Sequence, residues 1–424
     1  MASPQAELSP SSARARRKLI LAGQIAFFPT GILTTLLGPM LPILMVRWTM
    51  NDTQAGNLFL VQFLAMLAGV QLSGLLLTRW GYRPAFLSGL LLMALGVATL
   101  LLGSLWLGLA SVAAYGLGLG LIIPTDNLLI AEISPGSRLT PRVQRTQLNP
   151  EASAEASSSA SASAVSLLNF FWGLGAVFCS LMVAWTTTHR LLPLFFGAVA
   201  LFLVGLAFAM RHMPFPAAAK AAEPSPSSSS SSPRELATAM SMSLSKNSAL
   251  WLFAVVFFLY PGAETAVGGW IGSYVSRLGS QGAAIASLMP AFFYSTLTVG
   301  RALGTAFLRH VSERHVLRAG YAAGAAGIVL MLWAPALVGV IAGALITGLS
   351  FSTLYPLAIA RLSHHFGVAA RSIGAVMFSL AAVGPAVIPW MVGVISHATG
   401  SLRAGMLLPL GATVILFVIH LFEW

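Results

Sequence analysis

Charge is what this chain has least of. Only 8% of its 424 residues are charged, against roughly 25% in an ordinary soluble domain. A chain that is 57% hydrophobic offers no water-soluble fold enough polar surface to cover itself. Cysteine is nearly absent. Cys179 stands alone, which excludes an intrachain disulfide and a cysteine-based metal site. Acidic residues number only eleven. No catalytic triad, metal-ligand cluster or phosphate-binding glycine loop is present. His364 and His365 are adjacent and do not share a helix face. Enzymatic chemistry, a bound metal and a cofactor are therefore not expected.

What is there is a succession of about twelve apolar stretches. They lie at 19–46, 55–78, 84–104, 106–131, 164–187, 191–210, 249–275, 283–307, 317–334, 336–360, 371–397 and 403–422. Each is near or above the roughly 20 residues that cross a bilayer as a helix. The run from Leu19 to Val46 is too long for a cleavable signal core and reads as a retained first span. The net charge of +12 could suggest nucleic acid, but its distribution points elsewhere. With the N-terminus inside, Arg47, Arg190, Arg277 and Arg403 face out and Arg301 falls within a span. The other lysines and arginines face in. That is the positive-inside pattern. It predicts an integral, multi-pass protein of the plasma (inner) membrane, with both termini cytoplasmic, a lipid bilayer around it and no nucleic-acid partner.

The chain repeats itself. Pro29 and Pro261 are 232 residues apart, as are Pro124 and Pro356. Each sits inside an apolar run that continues past it, so paired helix breaks are expected. "SGLLLTRWGYRPAF" matches "LGTAFLRHVSERHV" with Arg79 opposite Arg309. "FWGLGAVFCSLM" matches "LAAVGPAVIPWM" with Gly175 opposite Gly384. The offset shrinks between spans four and five, where only the first half carries the insertion "EASAEASSSASASA" (151–164). That segment and "AAAKAAEPSPSSSSSSP" (217–233) have no apolar anchors and read as flexible cytoplasmic loops. The expected organisation is an N-terminal tail (1–18), a six-helix half (19–210), a linker (211–247) and a second six-helix half (248–424).

These features resemble the major facilitator superfamily. Its motif after span two reads here Gly74-Leu-Leu-Leu-Thr78-Arg79-Trp80-Gly81-Tyr82-Arg83. Thr78 replaces the usual Asp, which predicts a weaker conformational latch. "GLGLIIPTDNLLIAE", "LLNFFWGLGAV" and "GLSFSTLYP" are similar to the fucose–proton symporter and glucose/galactose permease branch. The acids of that branch are not repeated: span one has none, and Ile123 stands one turn before Asn127. The resemblance implies an all-α membrane protein of twelve helices in two pseudo-symmetric halves. It also implies secondary transport by alternating access.

Intramembrane ionisable residues are functional candidates by default. Eight of the acids fall in loops or tails, leaving Asp126, Glu132 and Glu264. Glu264 follows Pro261-Gly262 and precedes "TAVGGW". A shielded carboxyl that water can still reach can gain and lose a proton, so Glu264 and Asp126 are the proton-coupling candidates. The plainer reading of Glu264 is a helix cap or a partner of Arg301. Glu132, near Arg138, reads as a cytoplasmic gate contact beside Gly74, Thr78, Arg79, Gly81 and Arg83. Asn127, Asn169 and Trp172 suit hydroxyl recognition and stacking on an apolar sugar face. Tyr260, Trp270, Tyr294 and Tyr355 are further substrate candidates. Arg301 reads as a gate, a counter-ion or a ligand for an acidic substrate. Each polar residue could equally lock two helices together. The expected activity is proton- or sodium-coupled transport of a small polar solute, with a sugar or polyol first, by a monomer. An exporter of amphipathic compounds and a non-transporting receptor are the rivals.

Overall fold

The computed structural model describes residues 10–133, 150–213, 215, 248–307, 311–366 and 370–422. Lipid offers a backbone no hydrogen-bond partner, so an apolar chain that spans it must satisfy its own amides within helices. The helices are α1 (Pro10–Thr35), α2 (Leu37–Arg47), α3 (Asp52–Trp80), α4 (Tyr82–Thr99), α5 (Leu105–Ile133), α6 (Pro150–Thr188) and α7 (Leu192–Met210). Then come α8 (Ser248–Ser276), α9 (Ser280–Ile285), α10 (Met289–Phe307), α11 (Glu313–Trp333), α12 (Leu337–Phe351), α13 (Leu354–Phe366), α14 (Ala370–Thr399) and α15 (Leu402–Phe422). A 3-10 turn at Ala286–Leu288 joins α9 to α10. Among the described residues, twelve helical spans are long and apolar enough to cross a membrane.

The turns follow from local chemistry. Asn51 opens α3 with a capping box: its side chain accepts from the Gln54 amide at 2.8 Å, and the Gln54 side chain accepts from the Asn51 amide at 3.1 Å. Gly81, at φ 82°, both ends α3 and starts α4. A positive φ there needs glycine, and it reverses the chain with no loop at all.

Both halves pack by one plan. In the first, α1 lies against α6, α3 against α5, α4 against α5, and α4 against α7. In the second, α8 lies against α14, α10 against α12, α11 against α12, and α11 against α15. The halves meet through α2 with α8, α3 with α14, and α6 with α10. Apolar helices gain little from burial against one another in lipid, so close backbone approach over small residues carries the packing. Gly175 of α6 lies against the Phe28 carbonyl of α1. Gly384 of α14 lies against the Phe258 carbonyl of α8. The two glycines that the repeat places opposite each other do the same job.

Two expectations need correction. The helices run unbroken through Pro29, Pro124 and Pro261. The interruptions fall instead at Leu36, between α1 and α2, and at Ser352-Thr353, between α12 and α13. Pro356 is the third residue of α13, where a helix has no amide bond to lose. Packed neighbours let a spanning helix keep its course across a proline. The 151–164 segment is not a loop: its backbone continues α6 from Pro150. Alanine is the best helix former, proline suits a helix start, and Glu151 and Glu155 suit the first turns. The helix α1 begins at Pro10, and its part apolar enough to cross a membrane begins at Arg17. The 217–233 segment lies outside the described residues.

A Cβ at Gly175 or Gly384 would collide with a carbonyl on the neighbouring helix. Gly175→Val and Gly384→Val should each sharply reduce the yield of monodisperse protein in detergent. Gly197→Val, where a Cβ meets nothing within 4 Å, should leave it unchanged. Size-exclusion chromatography of the three variants tests this, and equal behaviour would refute the packing argument.

Candidate functional site

Two helices of the second half bring opposite charges together in mid-span. Glu264 lies midway along α8 and Arg301 two-thirds along α10. Arg301 Nη2 sits 3.2 Å from Glu264 Oε1 and 3.3 Å from Oε2. The side chains keep 20% and 13% of their exposure, so the pair lies at the edge of a wet space. Removing one partner of a buried pair costs about 3–5 kcal/mol, because the other charge is left unpaired.

The surrounding groups are aromatic. The Tyr260 hydroxyl lies 2.5 Å from Glu264 Oε2 and 2.6 Å from the Phe351 carbonyl oxygen. Both can accept, and the hydroxyl has one proton to give. Tyr355 stacks on Tyr260 at 6.1 Å and 15°. From the other half, Trp172 on α6 offers its ring face to Arg301, 5.3 Å from the guanidinium carbon. Tyr294 meets Trp172 edge-on at 6.2 Å and 83°. Glu264, Arg301, Tyr260, Tyr294, Tyr355 and Trp172 thus form one cluster across the boundary between halves.

The remaining candidates lie elsewhere. Trp270 is fully buried; its indole donates to the Pro389 carbonyl at 2.9 Å, and its ring meets Phe59 at 6.0 Å. Asp126 is wholly buried, with neither carboxyl oxygen hydrogen-bonded. It lies against Gly23, where a Cβ would come 2.5 Å from Oδ1, so it belongs to the α1–α5 contact. Asn127 donates to the Ile123 carbonyl of its own helix at 2.8 Å. Asn169, one turn before Trp172, is exposed. Of Glu132 only the helical backbone is described. An apolar crevice of about 360 Å³ between α1, α6 and α7 is lined by Phe28, Phe178, Trp185 and Phe202, among others. It lacks the polar groups that a hydroxylated solute needs.

A second cluster seals one end of the bundle. Arg277, just past α8, grips both carboxylate oxygens of Asp52 at the start of α3. Ser396 of α14 donates to the same carboxylate. One turn further in, the Trp390 indole donates to Asn57 Oδ1 at 3.0 Å. Gly38 of α2 lies against the Gly268 carbonyl of α8, and Gly393 against the Asp52 carbonyl. From sequence Asp52 counts only as a loop acid; that it and Arg277 stand at the same side of the membrane is legible, but their pairing is not.

The motif at the opposite end makes its described bonds within its own half. Thr78 donates to its own helix, at the Gly74 and Leu75 carbonyls. Gly74 faces open space, and Arg79 is exposed. Arg83 donates to the Met213 carbonyl at 3.0 Å, within its own half. The hydrogen bonds of Thr78 and Arg83 thus stay within the first half.

Cys179 is buried, so an introduced thiol reports alone. Ser273, buried near the seal, makes a suitable probe. Arg277→Ala in a Ser273→Cys background should raise labelling by a membrane-impermeant thiol reagent several-fold. Unchanged labelling would mean that the Asp52–Arg277 contact does not hold the end shut.

A comparison with curated proteins returns no significant match. Solved structures match over nearly the whole chain. A bacterial homologue of the human lysosomal transporter Spinster, inward-facing and occupied, is 11% identical; the match covers 96% of each chain at a TM-score of 0.72. The E. coli fucose:proton symporter is 18% identical, with 97% of this chain and all of that one covered, at 0.60. A D-xylose–proton symporter is 13% identical, with 95% and 96% covered, at 0.64. At these identities the likeness is one of fold. The sequence profile described as Major Facilitator Superfamily matches residues 24–389, and with the twelve spans and the doubled packing plan it shows that this chain belongs to that superfamily of membrane transporters.

Proposed function

We propose that the chain is a proton-coupled secondary transporter of a small hydroxylated solute, with Glu264 as the proton-carrying group. The observation that carries this is the placement of Glu264 between two partners that favour opposite protonation states. Arg301 favours the carboxylate. Tyr260 stands ready for the acid. If Glu264 Oε2 holds a proton it donates to Tyr260, whose own proton then goes to the Phe351 carbonyl, 2.6 Å away. Both states of the carboxyl are thus hydrogen-bonded.

The positive-inside distribution supports cytoplasmic termini at the plasma membrane. On that orientation the Asp52–Arg277 seal is extracellular, and the Gly74–Arg83 motif belongs to the cytoplasmic gate. On this reading the Asp52–Arg277 contact closes the outer end. Trp172 and the tyrosines supply a stacking face and hydroxyls beside the switch. Relatives of the same fold are named as fucose:proton and D-xylose–proton symporters, which fits sugar-like cargo.

Glu264→Gln keeps the shape of the side chain and removes its titration. It should abolish accumulation driven by a pH gradient in proteoliposomes and preserve solute exchange. Asp126→Asn should leave the pH drive intact. Undiminished concentrative uptake by Glu264→Gln would sink the proposal.

A further inference from the structure

Arg301 is underused by the contact it makes. Both of its bonds to Glu264 come from a single nitrogen, Nη2, at 3.2 and 3.3 Å. Charge-assisted bonds of this kind normally close to about 2.7–2.9 Å. Its Nε–H is buried with no hydrogen-bond partner. A guanidinium binds a carboxylate best through two adjacent nitrogens, and here neither fork is filled. Yet the group is held in place, with Trp172 across its face at 5.3 Å and part of its side chain open.

We propose that Arg301 is the substrate-anchoring residue and that the cargo is a hydroxylated carboxylate, of the chemical class of sugar acids. This rests on reading Glu264 as the proton carrier. When Glu264 takes a proton on Oε2 it turns to Tyr260, and Arg301 loses its counter-charge. A monoanionic substrate then fills a fork of the guanidinium through Nη2 together with Nε or Nη1. Its apolar face lies toward Trp172, and its hydroxyls meet Tyr294 and Tyr355. When the substrate leaves, Glu264 gives its proton to water and re-forms the pair. An unpaired buried charge is costly, so neither anion leaves Arg301 without the other taking its place. That exchange couples one proton to one anion.

The groups facing Glu264 support a simple exchange. Its own helix supplies Tyr260, α10 supplies Arg301 and Tyr294, and α13 supplies Tyr355. The carbonyl of Phe351 comes from α12. Beyond these, the helices packed on α8 carry their ionisable residues toward their ends: Arg47 on α2, Arg361, His364 and His365 on α13, Arg371 and His397 on α14, Arg403 and His420 on α15. No second carboxylate among the described residues shares Arg301.

A proton and a monoanion together carry no net charge, which separates this cargo from a neutral sugar. Radiolabelled gluconate and glucuronate, with glucose and sorbitol beside them, would be offered to the full-length protein in proteoliposomes. The pH gradient and the potassium–valinomycin potential would be imposed separately. Sugar-acid uptake should follow the pH gradient and ignore the potential. Arg301→Gln should reduce it at least tenfold. Glu264→Gln should keep gluconate exchange while losing the pH drive. If Arg301→Gln alone does not fold, the neutral double variant Glu264→Gln with Arg301→Gln serves, and it should be folded by thermal melting yet transport no gluconate. Gluconate transport that survives loss of Arg301 overturns the inference. Potential-driven, Glu264-dependent uptake of glucose or sorbitol in preference to gluconate also overturns it, and leaves proton coupling standing. A pH drive that survives in Glu264→Gln removes the proton-carrier reading, and this inference with it.

Discussion

The ion pair between Glu264 and Arg301 is the contact on which the rest of the site depends. Two charges in mid-span are tolerable only together, because either one alone would face the full cost of leaving water. Their pairing fixes the relation of α8 to α10. It also places Tyr260 against both the carboxyl and the Phe351 carbonyl. Through the Trp172 ring the same arginine touches the other half of the molecule. A change of charge at Glu264 is thereby felt in both halves.

On the proposed reading, the seal and the central pair divide the work of alternating access. At one end Asp52, Arg277, Ser396, Asn57 and Trp390 hold α3 to α8 and α14 with polar bonds. At the other, Thr78 bonds to its own helix. Thr78 lacks the charge of the aspartate usual at its position, so it cannot hold that end as an ionic latch. The two ends therefore differ in chemistry. One closes through a carboxylate–guanidinium grip, while at the other Thr78 and Arg83 bond within the first half.

Much of the fold was legible because lipid leaves the chain few choices. The twelve spans follow from apolar length, and the repeat from Gly175 and Gly384, which take the same place against carbonyls in their own halves. The Glu264–Arg301 pair was legible because both charges stand where a charge is expensive. Other features were not. Pro29, Pro124 and Pro261 suggested breaks, but a proline's missing amide bond is a local loss that packed neighbours outweigh. The Ala/Ser-rich insertion suggested a loop because it lacks anchors, and its helix propensity went unweighed. Asp126 is a coupling candidate from sequence because it is an acid in a span; its place against Gly23, in the α1–α5 contact, is seen only in the structure. Asp52 was passed over because a charge at a helix end costs little, and nothing in the sequence says which helix end it faces.

The central claim is that Glu264 changes protonation as it changes partners. Infrared difference spectroscopy of the reconstituted protein, comparing acid and neutral pH, tests it most directly. The account predicts a protonated-carboxyl band that appears at acid pH, vanishes in Glu264→Gln and persists in Asp126→Asn. A band that persists in Glu264→Gln and vanishes in Asp126→Asn would contradict it, and would move the proton from the α8–α10 pair to the α1–α5 contact.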